Sequence, residues 1–337
     1  MSGGPGAATG PRGRRRARCA AGLLGALAGL TAGVGLAAHH HLSGTSLLVA
    51  VSAFSTHLLA LAPVSVALLA AGRRWTGAAL AAALTAAAVA AVAPTHAGDP
   101  VDVPGGRSLS LLTANVRLGE VDAEGLVAAV ERSGADVVSL QELTPRLRRQ
   151  LQAAGLDELL PHSLVEAAPG ADGIGLWSRT PLTDEARHDE LTFPAVSARV
   201  VLPDGRPGPT VLGVHVAGPW PQAADDWVRD MAKLPALLQG IAREADAGDS
   251  AVLVGGDFNA TWGNAQFRDL LQDGYRDVAE QLGASWTATF PAGTAVPPLI
   301  GIDHVLVRGA GPQDLRTVTV PGSDHRGLLA TVGLPTG

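Results

Sequence analysis

Cysteine, lysine and tyrosine are nearly missing from this chain of 337 residues, and acids are missing from its first 98 residues. The single cysteine, Cys19, excludes an intramolecular disulfide and any cysteine-held zinc. It follows an arginine run without the small-residue approach of a lipoprotein cleavage site, so it reads as a membrane-flank residue. Residues 1–99 hold seven arginines against one acid, Asp99, a net +6. Residues 100–337 hold seventeen arginines and one lysine, Lys233, against thirty acids, a net −12. Gripping a nucleic-acid backbone normally takes several lysines and arginines, and stacking on bases takes aromatic side chains interleaved with them. The C-terminal part has neither pattern, so non-specific nucleic-acid binding is disfavoured.

What the first hundred residues do have is long uncharged runs: Cys19–Ala38, Ser43–Ala71 and Trp75–Ala97. About twenty helical residues cross a hydrocarbon core roughly 30 Å thick, so each run is long enough to span it. Their alanine and glycine content favours close helix–helix packing. Arg12, Arg14, Arg15, Arg16 and Arg18 precede the first run, Arg73 and Arg74 separate the second from the third, and the first connection has no arginine or lysine. The positive-inside rule then predicts a cytoplasmic basic segment 1–18, three spans within 19–97, and everything beyond about residue 98 outside the cytoplasm. The alternative, a leader cleaved near GLAAHH, sits poorly with two further apolar runs. His39, His40 and His41 read as a polar loop, and His57 as a neutral histidine packed between helices. GDPVDVPGGR gives a linker over 98–107.

From Ser108 the pattern changes to short apolar runs that begin or end in polar residues. SLSLLTAN ends at Asn115, ADVVSLQE at Glu142, GIGLWSR at Arg179, TVLGVHV includes His215, and AVLVGGDFN carries Asp257 and Asn259. GIDHVLV contains Asp303, and GSDHRGLLATVGL places Asp324 and His325 before the last run. Between the first two, Asp122 is placed to cap a helix over Ala123–Ser133 with Leu126, Val127 and Val130 on its apolar face, stopped by Gly134. Strands interleaved with helices predict an α/β or α+β domain of layered sheets over 108–335. Singly, these polar residues have plain readings: Asn115 in a turn, Glu142 as a helix cap, Asp257-Phe258-Asn259 as a β-turn, His304 as packing. Together they are costly beside apolar runs unless paired or metal-bound. An oxygen-rich set without cysteine suits a hard cation, magnesium above all and manganese next.

In this order the motifs TANV, LQEL, LWSR, GVHV, GGDFNAT, GIDHVLV and GSDHRGLLATV resemble the endonuclease/exonuclease/phosphatase superfamily. The resemblance implies a four-layered α/β/β/α sandwich and metal-dependent hydrolysis of phosphate esters. It implies Glu142 and Asn115 at a divalent ion with Asp324 contributing, and Asp257 positioning or deprotonating the attacking water. It further implies Asn259 and His215 as donors to phosphoryl oxygens, Asp303 as the partner of His325, and Arg179 as a brace. The general base stays open between Asp257 and His325. Three spans before an extracytoplasmic domain resemble, within that superfamily, the bacterial membrane proteins linked to teicoplanin resistance. That likeness implies a lipid-linked pyrophosphate as substrate, with the bilayer met through residues 19–97. The stretch WTATFPAGTAVPPLIGIDH then reads either as an apolar lip or as a loop packed on the sandwich. A tethered nuclease and a non-catalytic binding protein of the same fold are the competing readings.

Overall fold

The computed structural model describes residues 11–99, 106–248, 250–284 and 286–335, which form two compact units. The expected linker falls largely on residues 100–105, and residues 1–10 of the basic N-terminus likewise lie outside the described residues. The N-terminal region carries helices α1 (Pro11–His40), α2 (Ser46–Ala53), α3 (Ser55–Leu59), α4 (Leu61–Ala71), α5 (Trp75–Val92) and α6 (Pro94–Ala97).

The first unit holds α1 and residues 54–93. Its helices meet through small residues: a Cβ on Gly25 would lie 2.9 Å from the Leu69 backbone nitrogen, and Ser65 Oγ donates to the Gly25 carbonyl at 2.7 Å. Leu23, Leu27, Leu30, Trp75 and Leu80 face outward, the inverse of a water-soluble bundle. Arg12–His40 and Trp75–Val92 are long and apolar enough to cross a membrane. The second expected run is broken, with Ser46–Ala53 bent by 56° from Ser55–Ala71. His57 is exposed on α3, not packed between helices. Ser55 and Leu59, one turn apart, take the buried face, and His57 falls opposite them. His39 of the triplet is buried, with Nδ1 3.3 Å from Ser55 Oγ.

The second unit comprises Leu42–Ala53 and Pro94–Gly337, so α2 belongs with the C-terminal domain although it lies within the expected membrane region. Its strands are β1 (Ser108–Asn115), β2 (Val137–Gln141), β3 (His162–Glu166), β4 (Ile174–Ser178), β5 (Leu182–His188), β6 (Ala195–Val201), β7 (Pro207–His215), β8 (Val252–Asp257), β9 (Arg276–Asp277), β10 (Asp303–Arg308), β11 (Gly311–Thr319) and β12 (Arg326–Gly333). Its remaining helices are α7 (Ala123–Ser133), α8 (Pro145–Ala153), α9 (Leu156–Leu159), α10 (Asp225–Ala247), α11 (Ala265–Arg268) and α12 (Val278–Gln281).

Two six-stranded sheets result, ordered β11-β12-β1-β2-β4-β3 and β5-β6-β7-β8-β10-β9. Leu111, Leu176, Val211, Leu253 and Val305 fill the space between them. Leu126, Val127 and Val130 of α7 and Leu147 and Leu151 of α8 cover the outer face of the first sheet. Trp227, Leu234 and Ile241 of α10 cover the second. This is the expected four-layered sandwich. Asp122 holds the N-cap position of α7 without a side-chain cap bond, and Gly134 ends the helix in the left-handed region at φ 72°.

Each sheet contains one parallel pair joined by a crossover helix: β1-α7-β2 and β7-α10-β8. Parallel strands end at the same edge, where an α/β sheet collects its polar loops. Asn115, Glu142, His215 and Asp257 therefore share one end of the sandwich. The antiparallel neighbours β10 and β12 begin there, which brings in Asp303, paired in register with Asp257, and His325. Arg179 follows the antiparallel strand β4, whose Ser178 pairs with Val137 and whose Ile174 pairs with Gln141. It lies at the opposite end, donating from Nε to the Ala135 carbonyl at 2.9 Å, and does not brace the site.

Candidate active site

Asn115 ties the two halves together. Its Nδ2 donates to Glu142 Oε1 from the first sheet and to Asp257 Oδ2 from the second, both at 3.0 Å, while its Oδ1 accepts from Arg117 N at 2.8 Å. Glu142 Oε2 accepts from Leu118 N at 2.6 Å. His215 Nε2 stands 3.7 Å from Glu142 Oε1 and 3.8 Å from Asp257 Oδ2, and its Nδ1 lies 3.2 Å from the Ala171 carbonyl. His325 Nε2 approaches the same Asp257 oxygen at 3.8 Å, and its Nδ1 meets Asp303 Oδ2 at 2.9 Å. Asn115, His215 and His325 thus converge on Asp257, with Glu142 held by Asn115 and Asp303 by His325.

The backbone that holds them is strained. Glu142 (φ 62°), Asn259 (φ 47°), Arg117 (φ 48°) and Leu118 (φ 51°) all occupy the left-handed region that side chains with a Cβ rarely adopt. Such conformations persist where the surroundings over-determine them, commonly at functional sites. Asn259 is fixed by three bonds: its N to Asp257 Oδ1 at 2.8 Å, its Nδ2 to the Val216 carbonyl at 2.9 Å, and Trp227 Nε1 to its own carbonyl at 3.0 Å. The amide NH2 group has two hydrogens, so one remains for a ligand.

Electrostatics separate the partners. Burial pushes the Asp257 carboxyl up, against the pull of His325 and His215. Burial works against charge on His325, but Asp303 and Asp257 outweigh it and lift the imidazole to about 10. His325 therefore holds its proton at neutral pH, beside a carboxylate made unusually proton-hungry. Phe193 stacks on His215 with ring centres 4.7 Å apart, and Phe290 leans on His325 at 5.0 Å. These rings exclude water from the histidines.

Asp324 is more peripheral, its carboxylate 4.0 Å from Arg117 Nε and its carbonyl accepting from Ala292 N. Among the described residues the group with metal-ligand spacing is Asp257, Asp303 and His325, whose ligand atoms lie within 4.8 Å of one another. Asp303 Oδ1 is buried with no hydrogen-bond donor among them. An orphaned carboxylate oxygen amid carboxylates and imidazoles suits a hard divalent cation. Two further residues contribute, Ser323 from within the GSDHRGLLATV motif and Phe193. Ser323 Oγ donates to the Asn115 carbonyl at 2.8 Å and accepts from His325 N at 3.0 Å. Phe193 comes from a connection with no marked pattern. His304, read as packing, is a buried ion-pair partner, with Nδ1 3.1 Å from Asp277 Oδ2 and Nε2 2.9 Å from the Ala260 carbonyl.

A sandwich of this topology with such a cluster at one end defines a phosphoesterase architecture. The model of the endonuclease/exonuclease/phosphatase family matches residues 112–325, more than half of the chain, and the chain belongs to that family. It is accordingly a metal-dependent hydrolase of phosphate ester bonds. Similar solved structures include humanized D. rerio TDP2, at 20% identity and TM-score 0.56, covering 67% of this chain and 99% of that one. A functionally unknown conserved protein from Enterococcus faecalis V583 reaches 20% identity and TM-score 0.51, covering 67% and 99%. Truncated Caenorhabditis elegans TDP2 reaches 14% and 0.51, covering 67% and 97%. At these identities the likeness shows the fold. No curated protein matches the chain.

Proposed function

We propose that this protein is a membrane-anchored, divalent-metal-dependent phosphoesterase that cleaves the phosphate or pyrophosphate ester of a lipid-linked substrate outside the cytoplasm. The observation that carries the lipid reading is where the catalytic unit exposes large apolar side chains. Leu118, Trp220, Trp286, Val296 and Leu299 are all exposed. The segments bearing them also touch the site. Leu118 N bonds Glu142, Gly218 lies against the Asn259 side chain, and the loop of Trp286 to Leu299 contains Phe290, which packs on His325. Leu42 and Leu47 add to this exposed apolar surface, with Ser46 Oγ donating to the Gln222 carbonyl at 3.4 Å. Apolar surface beside a phosphoryl-transfer centre suits an amphipathic substrate, and a net charge of −12 without aromatic-plus-basic runs suits nucleic acid poorly.

In this reading Glu142 and Asp303 would hold the cation, magnesium or manganese, with Asn115 orienting Glu142 and Asp257 and with Asp324 at the margin. The cation, when bound, supplies Lewis-acid polarisation of the phosphoryl group and stabilises the leaving oxygen. Asp257, buried and poor at keeping charge, takes the proton of the attacking water. His325, proton in place through Asp303, donates to a phosphoryl oxygen as charge builds, with His215 and the second N–H of Asn259. Connectivity supports the topology. Residues 42–53 and 94–335 form one unit, so the chain leaves it as α3 and α4 and returns through α5, as a two-pass hairpin would. Residues 55–71 make about 25 Å of helix, long enough for a thin core.

The test uses the purified full chain in detergent with magnesium and EDTA controls, following phosphate release from a polyprenyl pyrophosphate alongside nicking of supercoiled DNA. EDTA-sensitive phosphate release with intact DNA is expected. Nicked DNA with untouched lipid would make the protein a tethered nuclease instead.

A further inference from the structure

The loop that presents Asp257 and Asn259 continues as Ala260-Thr261-Trp262-Gly263-Asn264, and its far end is anchored on α2. Thr261 Oγ donates to the Ala53 carbonyl at 3.0 Å, Asn264 Nδ2 to the Val49 carbonyl at 3.1 Å, and Gln266 Nε2 to the Ser43 carbonyl at 2.7 Å. A helix of eight residues leaves its last carbonyls without intrahelical donors, Ala53 among them, and Thr261 meets that need. The contact is part of the core: Asn264 is wholly buried, and Val49, 1% exposed, joins the cluster of Trp227, Phe258 and Phe267. Within the loop, Asn264 Oδ1 accepts from Thr261 N at 2.9 Å, and Thr261 Oγ accepts from Gly263 N at 3.0 Å. Five residues before Asn264, the backbone of Asn259 sits at φ 47°. A strained turn needs fixed ends, and one end here is supplied by a segment some two hundred residues earlier in the chain.

We infer that residues 42–53 are a structural part of the active site, and that Thr261 and Asn264 are positioning residues that hold the Asp257–Asn259 turn by gripping α2. A segment lying between the apolar helices in sequence thus sets the catalytic loop, so a domain cut at residue 98 lacks a piece of its own site. The kinetic arm of the test rests on the phosphoesterase reading; the structural arm does not.

The substitutions are Thr261→Val, which removes the hydroxyl while nearly keeping its shape, Thr261→Ser, which restores it, and Asn264→Asp, which keeps the acceptor for Thr261 N but loses the donor to Val49. Each is made in the full chain in detergent. Hydrogen–deuterium exchange is measured over 42–53 and 257–268, and magnesium-dependent hydrolysis of bis(p-nitrophenyl) phosphate gives kcat and KM separately. Thr261→Val and Asn264→Asp should speed exchange in both segments while β1 and β2 stay protected. Both should lower kcat about tenfold with KM within about twofold, and Thr261→Ser should recover most of the loss. Unchanged exchange at 257–268, or protection lost throughout the sandwich, would overturn the inference. If wild-type protein leaves the probe intact, the reading of the activity is in question and the exchange pattern alone decides the inference.

Discussion

Asp257 concentrates the conflicts of this site. It lies buried beside Asp303 and within 3.8 Å of both His215 and His325. Removing its charge should relieve the cost of burying that charge, the largest cause of its raised pKa, while removing the proton acceptor. Asp257→Asn is therefore expected to lower turnover by at least about a hundredfold, with a thermal midpoint equal to or above wild type. Circular dichroism melts beside the hydrolysis assay check both halves. His304 gives a separate pH signature. Burial opposes its charge, but Asp277 and the Ala260 carbonyl outweigh it and raise its pKa above the ordinary histidine value. The stability it contributes is complete below the unfolded value of about 6.5 and is lost as pH rises through the higher folded value. Urea denaturation across pH 6 to 10 should show Asp277→Asn costing most at the acidic end and progressively less above it. A penalty constant with pH would mean that the pair is a neutral hydrogen bond.

At the scale of elements, the site depends on how closely β7 approaches β8. A Cβ on Gly256 would sit 2.0 Å from the Val214 carbonyl, a backbone atom that cannot swing aside. His215 and Asp257, the next residues along, are register partners across this pair. Gly256→Ala should therefore cost about 3 kcal/mol in urea denaturation and misplace both side chains. A variant with wild-type stability would show that the strands have slack. The strands with the clearest sequence patterns, β1, β2, β4, β7, β8, β10 and β12, are also mostly buried. β5 and β11, edge strands with mostly exposed or half-buried residues, have no continuous apolar run to mark them.

For the whole molecule, one cysteine makes topology easy to probe. In a Cys19→Ser background, Gly44→Cys and Asp99→Cys should react with a membrane-impermeant maleimide in intact cells, and Arg74→Cys only after lysis. Labelling of position 74 but not 99 would invert the proposed orientation. In the proposed orientation the bilayer would separate the acidic catalytic unit from the basic N-terminus, an asymmetry that the net charge of −6 by itself conceals.

The sequence by itself determined the family, the layered α/β class and the residues that converge, because buried strands leave apolar runs and polar residues at their ends stand out against them. It also determined the apolar character of the first hundred residues, because hydropathy is a local property. Tertiary structure decided the rest. Strand direction is invisible in an apolar run, so only the antiparallel pairing of β4 with β2 revealed that Arg179 lies at the far end. Ser43–Ala71 reads as one uncharged stretch, yet its first part packs in the catalytic core, because Thr261, Asn264 and Gln266 offer donors that lipid lacks. His304 became an ion-pair partner for the same reason: its acceptors, Asp277 and the Ala260 carbonyl, come from distant parts of the chain that meet only in the folded protein.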